Sequence, residues 1–374
     1  MLNSGIVRDN MHYNVSEDEG YNADTICILS PREPGKTTSI MLDVVYSKFK
    51  KYGWPAIVLV NQAADISEAY LSSFETTINQ FKGYEIHTKY PSAASNGGVT
   101  MVREKETNKP FIYVISLNTP KTRLKRNNLG RVSCIWYDEC NVDVTIGEKW
   151  PDDIANKWNE LYTTHARNAY LDKKHPSSLK FYMTGNFYTR YNPLLIYLGV
   201  DVNKLEIGKK FLSVKNIKIV DDQGKEEDKS IRVLVDCYQL KPELRAYILK
   251  HNPGYHFDDT YERYFLGQAI GEIGILQIPN LPDGYKLKYA FKFGSRYLRV
   301  WRGDEGYWLE ATAQGVGKRK DVYVTSIDAL VRNSILAKEF RRFFGNLRFG
   351  IATGNVSYNS PEAYYYMQQL YAAI

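Results

Sequence analysis

The feature that most constrains the fold is a succession of five apolar runs. They are Thr25–Leu29 (TICIL), Ala56–Val60 (AIVLV), Phe111–Leu117 (FIYVISL), Val132–Glu139 (VSCIWYDE) and Leu179–Asn186 (LKFYMTGN). A strand with one wet face alternates apolar and polar residues, whereas a nearly continuous apolar run belongs to a strand covered on both faces. Helical patterns separate the runs. The clearest follows the first, where Ile40, Met41, Val44, Val45 and Phe49 recur at helical spacing. Strands and helices alternating in this way predict an α/β fold, a mostly parallel sheet with flanking helices.

At 374 residues the chain exceeds one ordinary core. Residues 1–199 are expected to form the sheet domain. Residues 200–282 read as a linker or lid subdomain, with a charged turn at Val220–Ser230 between two strand-like runs and short helices at Leu240–Lys250 and Asp258–Ile270. From Tyr285 onward, KYAFKFG, RYLRVWRG and GYWLEA alternate around glycine turns, predicting an antiparallel meander. Helix-like stretches at Ile327–Phe344 and Pro361–Tyr371 follow, so residues 283–374 read as a small α+β domain.

The formal charge is +7, and residues 281–374 hold fourteen Lys and Arg against eight Asp and Glu. Such a basic domain suits a polyanion such as nucleic acid, and equally a merely soluble surface. No apolar run nears the ~18 residues of a membrane span. The polar, acidic N-terminus lacks the pattern of a secretory signal. Cysteines at 27, 134, 140 and 237 have no metal-ligand spacing and read as reduced core thiols.

The chemistry concentrates after the first run. Ser30-Pro31-Arg32-Glu33-Pro34-Gly35-Lys36-Thr37, followed by Thr38, lies between a strand and an amphipathic helix, the setting a phosphate-binding P-loop requires. Backbone N–H groups and the helix N-terminus would hold the phosphates of ATP. Lys36 would reach the β/γ oxygens, and the Thr37 hydroxyl would sit on Mg²⁺. Ser30 departs from the usual glycine at the first position.

About a hundred residues on, IWYDE ends a strand in Asp138 and Glu139, suited to the Mg²⁺ shell and to polarising the attacking water. The intervening runs at 56–60 and 111–117 are expected to supply the extra strand between the two motifs that accompanies a catalytic glutamate. Asn186 ends the TGN run, where a polar residue can sense the γ-phosphate; a plain strand-ending turn is the alternative. Arg32 could stabilise the γ-phosphate in cis or touch a neighbour. Arg167, placed after a helix over 151–164, is either an arginine finger in trans or an exposed helix-end arginine. Lys121, Arg123, Lys125, Arg126 and Arg131 form a basic run without an acid, fit to grip DNA phosphates or simply to face solvent. Metal-dependent cleavage needs converging carboxylates, and Tyr289–Phe293 contains none, so nuclease activity is not expected.

SPREPGKT, IWYDE and the TGN strand end, with Asn192–Leu195 (NPLL) and a small basic β-rich domain after them, resemble the DNA-packaging ATPases of short-tailed phages with protein-primed linear genomes. These are reduced relatives of the terminase large subunits. The resemblance implies an additional-strand, catalytic-glutamate ATPase domain and an RNase H-like C-terminal domain that has lost its metal ligands. It also implies a homomeric ring, a pentamer, in the host cytoplasm. The ring would dock on the portal of a procapsid, with or without a structural RNA, and move double-stranded DNA. The family's phosphate lysine, magnesium acid, catalytic glutamate and trans arginine carry over to Lys36, Asp138, Glu139 and Arg167. A helicase or plasmid-transfer ATPase, and a scaffold that binds ATP without turnover, are the other readings.

Overall fold

A computed structural model describes residues 10–91, 98–120, 124, 129–142, 150–151, 153–170, 179–188, 190, 192–220, 226–252, 278, 280–293, 296–315, 322–324, 334–337, 344–352, 355–360, 362–364, 366–367 and 370. The chain divides into two compact units, residues 1–271 and 272–374. The first is built on a nine-stranded sheet and the second on a six-stranded one.

In the first unit the strands are β1 (Thr25–Ser30), β2 (Ala56–Val60), β3 (Thr88–Lys89), β4 (Val99–Glu104), β5 (Pro110–Ser116), β6 (Ile135–Tyr137), β7 (Phe181–Asn186), β8 (Lys210–Val220) and β9 (Glu226–Cys237). Their spatial order is β3-β4-β5-β2-β6-β7-β1-β9-β8. The six from β5 to β9 run parallel; β3, β4 and β8 add antiparallel edges. All five runs read from the sequence are parallel strands. The central ones are buried on both faces, with Ile26, Ile28, Ile57, Val58, Ile112, Val114 and Trp136 fully inside. That is why their sequences do not alternate.

The helices are α1 (Ser16–Glu19), α2 (36–52), α3 (Glu68–Asn79), α4 (Ile154–Tyr170), α5 (Pro193–Tyr197) and α6 (Pro242–His251). Helix α2 opens as α-helix, passes through a π-helical stretch at Ile40–Tyr46 and closes as α-helix at Tyr52. The five apolar positions that predicted it are all buried. The four cysteines are free and buried.

Three features depart from the sequence reading. The strand between β1 and β6 is β7, not one of the runs at 56–60 or 111–117; β2 and β5 lie beyond β6. Sequence order cannot give this order, because crossover helices let a later strand insert beside an earlier one. Next, α4 extends to Tyr170, so Arg167 lies inside the helix rather than after it. Finally, the strands at 210–237 extend the large sheet, β9 pairing in parallel with β1. The predicted helix at 258–270 lies outside the described residues.

In the second unit β10 (Lys286–Phe293), β11 (Arg296–Gly303) and β12 (Gly306–Thr312) form the expected antiparallel meander. Strands β13 (Val322–Val324) and β14 (Ser334–Leu336) continue it in parallel from β10, and β15 (Val356–Tyr358) pairs in parallel with β12. The order is β14-β13-β10-β11-β12-β15. Ser334–Leu336 is thus strand where a helix was expected, since a short apolar run does not distinguish the two. Helix α7 (Gly345–Ala352) follows it. One sheet face buries Phe291, Leu298, Val300 and Leu309, with Tyr323 and Phe344 packed on Phe291. Among the described residues, no helix is long and apolar enough to cross a membrane.

Candidate functional site

The C-terminal ends of β1, β6 and β7 stand side by side, and the 30–38 loop, Asp138, Glu139 and Asn186 meet there. Ser30, the last residue of β1, is fully buried, and its hydroxyl donates to the Pro31 carbonyl at 2.8 Å. Such a side chain stabilises the turn without needing the flexibility of glycine. The loop then bends through Glu33 (φ 69°) and Gly35 (φ 85°), both left-handed. Gly35 caps α2, so the free N–H groups of the first helical turn point out of the loop. A Cβ on Gly35 would come 3.3 Å from the His12 Cβ, because the segment before α1 packs on the loop. The Tyr13 N–H donates to the Pro34 carbonyl at 2.7 Å, and the Val15 N–H to the Ser39 hydroxyl at 2.9 Å.

Lys36 turns back across the loop. Its Nζ donates to the Pro31 carbonyl at 3.2 Å and to Asn186 Oδ1 at 3.0 Å. Burial brings its pKa down from 10.5 to about 8; the charges of Asp138 and Glu139 oppose that shift, and Arg32 adds to it. An ammonium held at the mouth of a loop, short of water and of a full complement of anions, is suited to phosphate oxygens. Thr37 and Thr38, next in the helix, are half-buried.

Asp138 is buried at the end of β6. Its Oδ1 accepts from the Thr184 hydroxyl at 2.9 Å and its Oδ2 from the Tyr70 hydroxyl at 3.2 Å. Burial and the neighbouring Glu139 push its pKa up to about 6, against the opposing pull of Thr184, Lys36 and Tyr70. A buried carboxylate beside a second acid favours a cation between itself and solvent. A carboxylate and a threonine hydroxyl such as that of Thr37 are the hard oxygen donors Mg²⁺ prefers, so the residue types fit that ion.

Glu139 projects into solvent from a backbone at φ 50°. Non-glycine residues occupy that region at a cost, and such strain gathers where a side chain must be aimed. The turn is held from several directions. Asn61 Nδ2 donates to the Glu139 carbonyl at 3.1 Å, the Cys140 N–H to the Thr184 carbonyl at 2.8 Å, and Asn141 Nδ2 to the Asn186 carbonyl at 3.0 Å. Asn192, which caps α5, donates to the Cys140 carbonyl at 2.8 Å.

Strand β7 ties the two halves together. Thr184 reaches Asp138, and Asn186 reaches Lys36. Between them Gly185 lies so close to the acidic turn that a Cβ would stand 3.0 Å from the Asn141 nitrogen. Asn186 Nδ2 donates to the Tyr188 hydroxyl at 3.1 Å, and Arg32 Nη2 donates to the same oxygen at 3.4 Å. Exposed Arg32 is thereby linked through Tyr188 and Asn186 to Lys36.

Of the remaining expected residues, Arg167 is exposed on α4. Lys121, Arg123, Lys125 and Arg126 lie outside the described residues. Sequence reasoning missed Asn61, Tyr70, Thr184, Asn192 and Tyr188 as site residues. Thr184 and Asn192 stood inside runs that had been noticed. Tyr70 sits in a helix whose sequence carries no catalytic pattern, and only the packing of α3 brings it to Asp138.

No family profile and no curated protein matches this sequence. Solved structures do match. The Phi-28 gp11 DNA packaging motor is similar over 98% of both chains, at 14% identity and a TM-score of 0.61. The bacteriophage Phi-29 viral genome packaging motor assembly is similar over 96% of this chain and 100% of its own, at 17% identity and a TM-score of 0.54. This chain therefore has the fold of those packaging-motor proteins. The resemblance read from the sequence holds at the level of architecture.

Proposed function

We propose that the chain is a P-loop ATPase that drives double-stranded DNA into a viral procapsid. One observation carries the reading: a single strand, β7, joins the phosphate-loop lysine through Asn186 to the buried acid through Thr184. It does so in a fold shared with structures described as packaging motors.

In this reading ATP enters with its phosphates on the 30–38 loop. Lys36 exchanges Asn186 for the β/γ oxygens, with Ser30, Pro31, Arg32, Glu33, Pro34 and Gly35 shaping the cradle and Thr38 closing it. Thr37 and Asp138 would hold Mg²⁺, which supplies charge neutralisation for phosphoryl transfer when bound. Glu139, aimed by its left-handed turn, takes the proton of the attacking water. Once Lys36 has moved, Asn186 is free to contact the γ-phosphate, and Tyr188 passes that change to Arg32. Exposed Arg167 on α4 serves a neighbouring subunit's site as an arginine finger, in a homomeric ring taken to be a pentamer. Lys121, Arg123, Lys125 and Arg126 grip the DNA backbone.

The second unit supports an RNase H-like assignment. A three-stranded meander whose first strand continues in parallel into two more is the strand order of that fold. The first strand, KLKYAFKF, carries no acid to ligate a metal, so the domain is read as a docking or DNA-binding domain without cleavage. The portal of the procapsid, with or without a structural RNA, is its proposed partner, which places the working ring in the host cytoplasm.

The deciding test is steady-state ATP turnover by wild type and Glu139→Gln, with and without duplex DNA. Turnover stimulated by duplex and lost in the variant, with ATP binding retained, is the expected result. A variant that still turns over sinks the assignment of the base. Separation of the strands of a duplex would replace the packaging reading with a helicase.

A further inference from the structure

Charge also gathers at the opposite edge of the large sheet, where the parallel strands begin. Helix α2 ends there at Tyr52, with Gly53 left-handed at φ 69°, and the chain passes through Trp54 and Pro55 into β2. The Tyr52 and Trp54 rings stack with centroids 4.3 Å apart and planes 19° from parallel. The Arg131 guanidinium lies 4.2 Å from the Trp54 centroid, and the Lys51 ammonium 4.9 Å from that of Tyr52. The arrangement is a column of two rings carrying two cations.

Neighbouring strand entries fix the column and add to its charge. The Ser133 N–H donates to the Pro55 carbonyl at 2.8 Å, which places the segment holding Arg131 beside Trp54. Lys48 reaches the Ser133 carbonyl at 3.4 Å. In the turn before β5, the Lys109 ammonium comes within 3.8 Å of where a Gly53 Cβ would stand. Lys51, Lys109 and Tyr52 are exposed, Tyr52 by 37%. Two acids lie nearby. Glu104 is bound by Lys50 at 3.0 Å and by Thr107, and Glu106 is exposed in the same turn as Lys109.

Cations from three chain segments around a partly open aromatic pair are the chemistry of single-strand recognition. Cations take phosphates, and rings take unpaired base faces. A duplex offers phosphates but keeps its base faces stacked. We propose that this edge binds a nucleic-acid strand with unpaired bases. Lys51 leaves the Tyr52 face for a phosphate and Lys109 takes another, and the exposed Tyr52 ring, backed by Trp54 and Arg131, stacks a base. The site is separate from the ATP site and does not depend on the motor reading.

The test uses the full chain and labelled oligonucleotides: a poly-dT and a poly-U 20-mer, and a duplex of equal length. Wild type is expected to bind the single strands with quenching of tryptophan emission that Trp54→Phe removes. The pair Lys51→Ala and Lys109→Ala weakens single-strand binding about ten-fold. It also lowers the slope of log affinity against log salt by about 1.4, two phosphates' worth. Tyr52→Ala weakens binding by a similar factor with the slope unchanged, because a stacked base releases no counterion. Duplex affinity moves less than two-fold in Tyr52→Ala. Thermal unfolding and circular dichroism like wild type establish that the variants are folded. The proposal is overturned if wild type does not bind single strands, or if affinity and slope are unchanged in the variants. It is equally overturned if Tyr52→Ala weakens duplex and single strand alike, which would make the edge a general phosphate track or a protein contact.

Discussion

The two sheets use their polar residues in different ways. In the nine-stranded sheet Asp138, Glu139 and Asn186 stand where parallel strands end, and their bonds run between strands to loops that present groups outward. In the second unit Glu310 of the six-stranded sheet and Glu362 beyond it are held by cations. Glu310 accepts from Trp301 Nε1 at 3.2 Å and lies 3.4 Å from Arg299, while Glu362 binds Arg296 at 2.5 Å. Parallel strands in open sheets leave a crevice at their carboxyl ends. The meander of the second unit instead closes its polar groups against its own neighbours. A site needs groups held but not consumed by their partners, and among the described residues the first sheet supplies them.

The contrast is open to attack by mutation, the largest effect first. Replacing Lys36 with Met removes the ammonium and its charge-assisted bonds, each worth roughly 1.5–3 kcal/mol. ATP affinity by calorimetry should fall about 10²-fold; near-normal affinity would mean that the loop is not the phosphate site. A milder probe is pH. Lys36 titrates near 8 in the nucleotide-free protein, among Asp138, Glu139, Arg32 and Cys140. Below pH 8 it is charged and ready for phosphate. Above it, binding must first take up a proton, so affinity should decline up to about ten-fold per pH unit. A flat profile between pH 7 and 9.5 would place the binding charge elsewhere.

Gly185→Ala forces a methyl against the Asn141 backbone. Overpacking of this kind costs about 1–3 kcal/mol, and turnover should drop with the midpoint of denaturant unfolding because the acidic turn is displaced. Smallest of all is Glu310→Gln in the second sheet, expected to cost about 1 kcal/mol of stability and to leave ATP turnover within two-fold. Loss of turnover there would erase the distinction between the sheets.

Much of this was legible in the sequence, for identifiable reasons. A doubly covered strand must be apolar throughout, so the runs ending at Leu29, Val60, Leu117, Glu139 and Asn186 announced themselves. Lys36 and the Asp138-Glu139 pair were legible because phosphate and metal chemistry demand those residue types at strand ends. The order of the strands was not, and so β7's place between β1 and β6 was missed. Residues that act by reaching across were equally hidden. Tyr70 and Tyr188 matter through their hydroxyls, and nothing in a linear sequence distinguishes them from the many other tyrosines of a chain that has 30. The end of α4 was placed too early because Thr163, Thr164 and His165 interrupt the apolar residues, although buried His165 and Ala169 continue the stripe of Ile154, Trp158 and Leu161.

Strand β7 has a consequence for how this protein can change by insertion and deletion. Thr184 and Asn186 share one side of the strand because side chains alternate, and Gly185 takes the other side against Asn141. Gaining or losing one residue between Phe181 and Thr184 reverses that parity. Glycine would then face either Asp138 or Lys36, a residue of the wrong kind would face the other, and a side chain would be driven into the acidic turn. Both contacts fail in one event, so length changes within the strand offer no partly working intermediate. Substitutions do, since Thr184 and Asn186 can each be altered alone. The lineage of this chain is therefore expected to vary in the residues of this strand while its length stays locked.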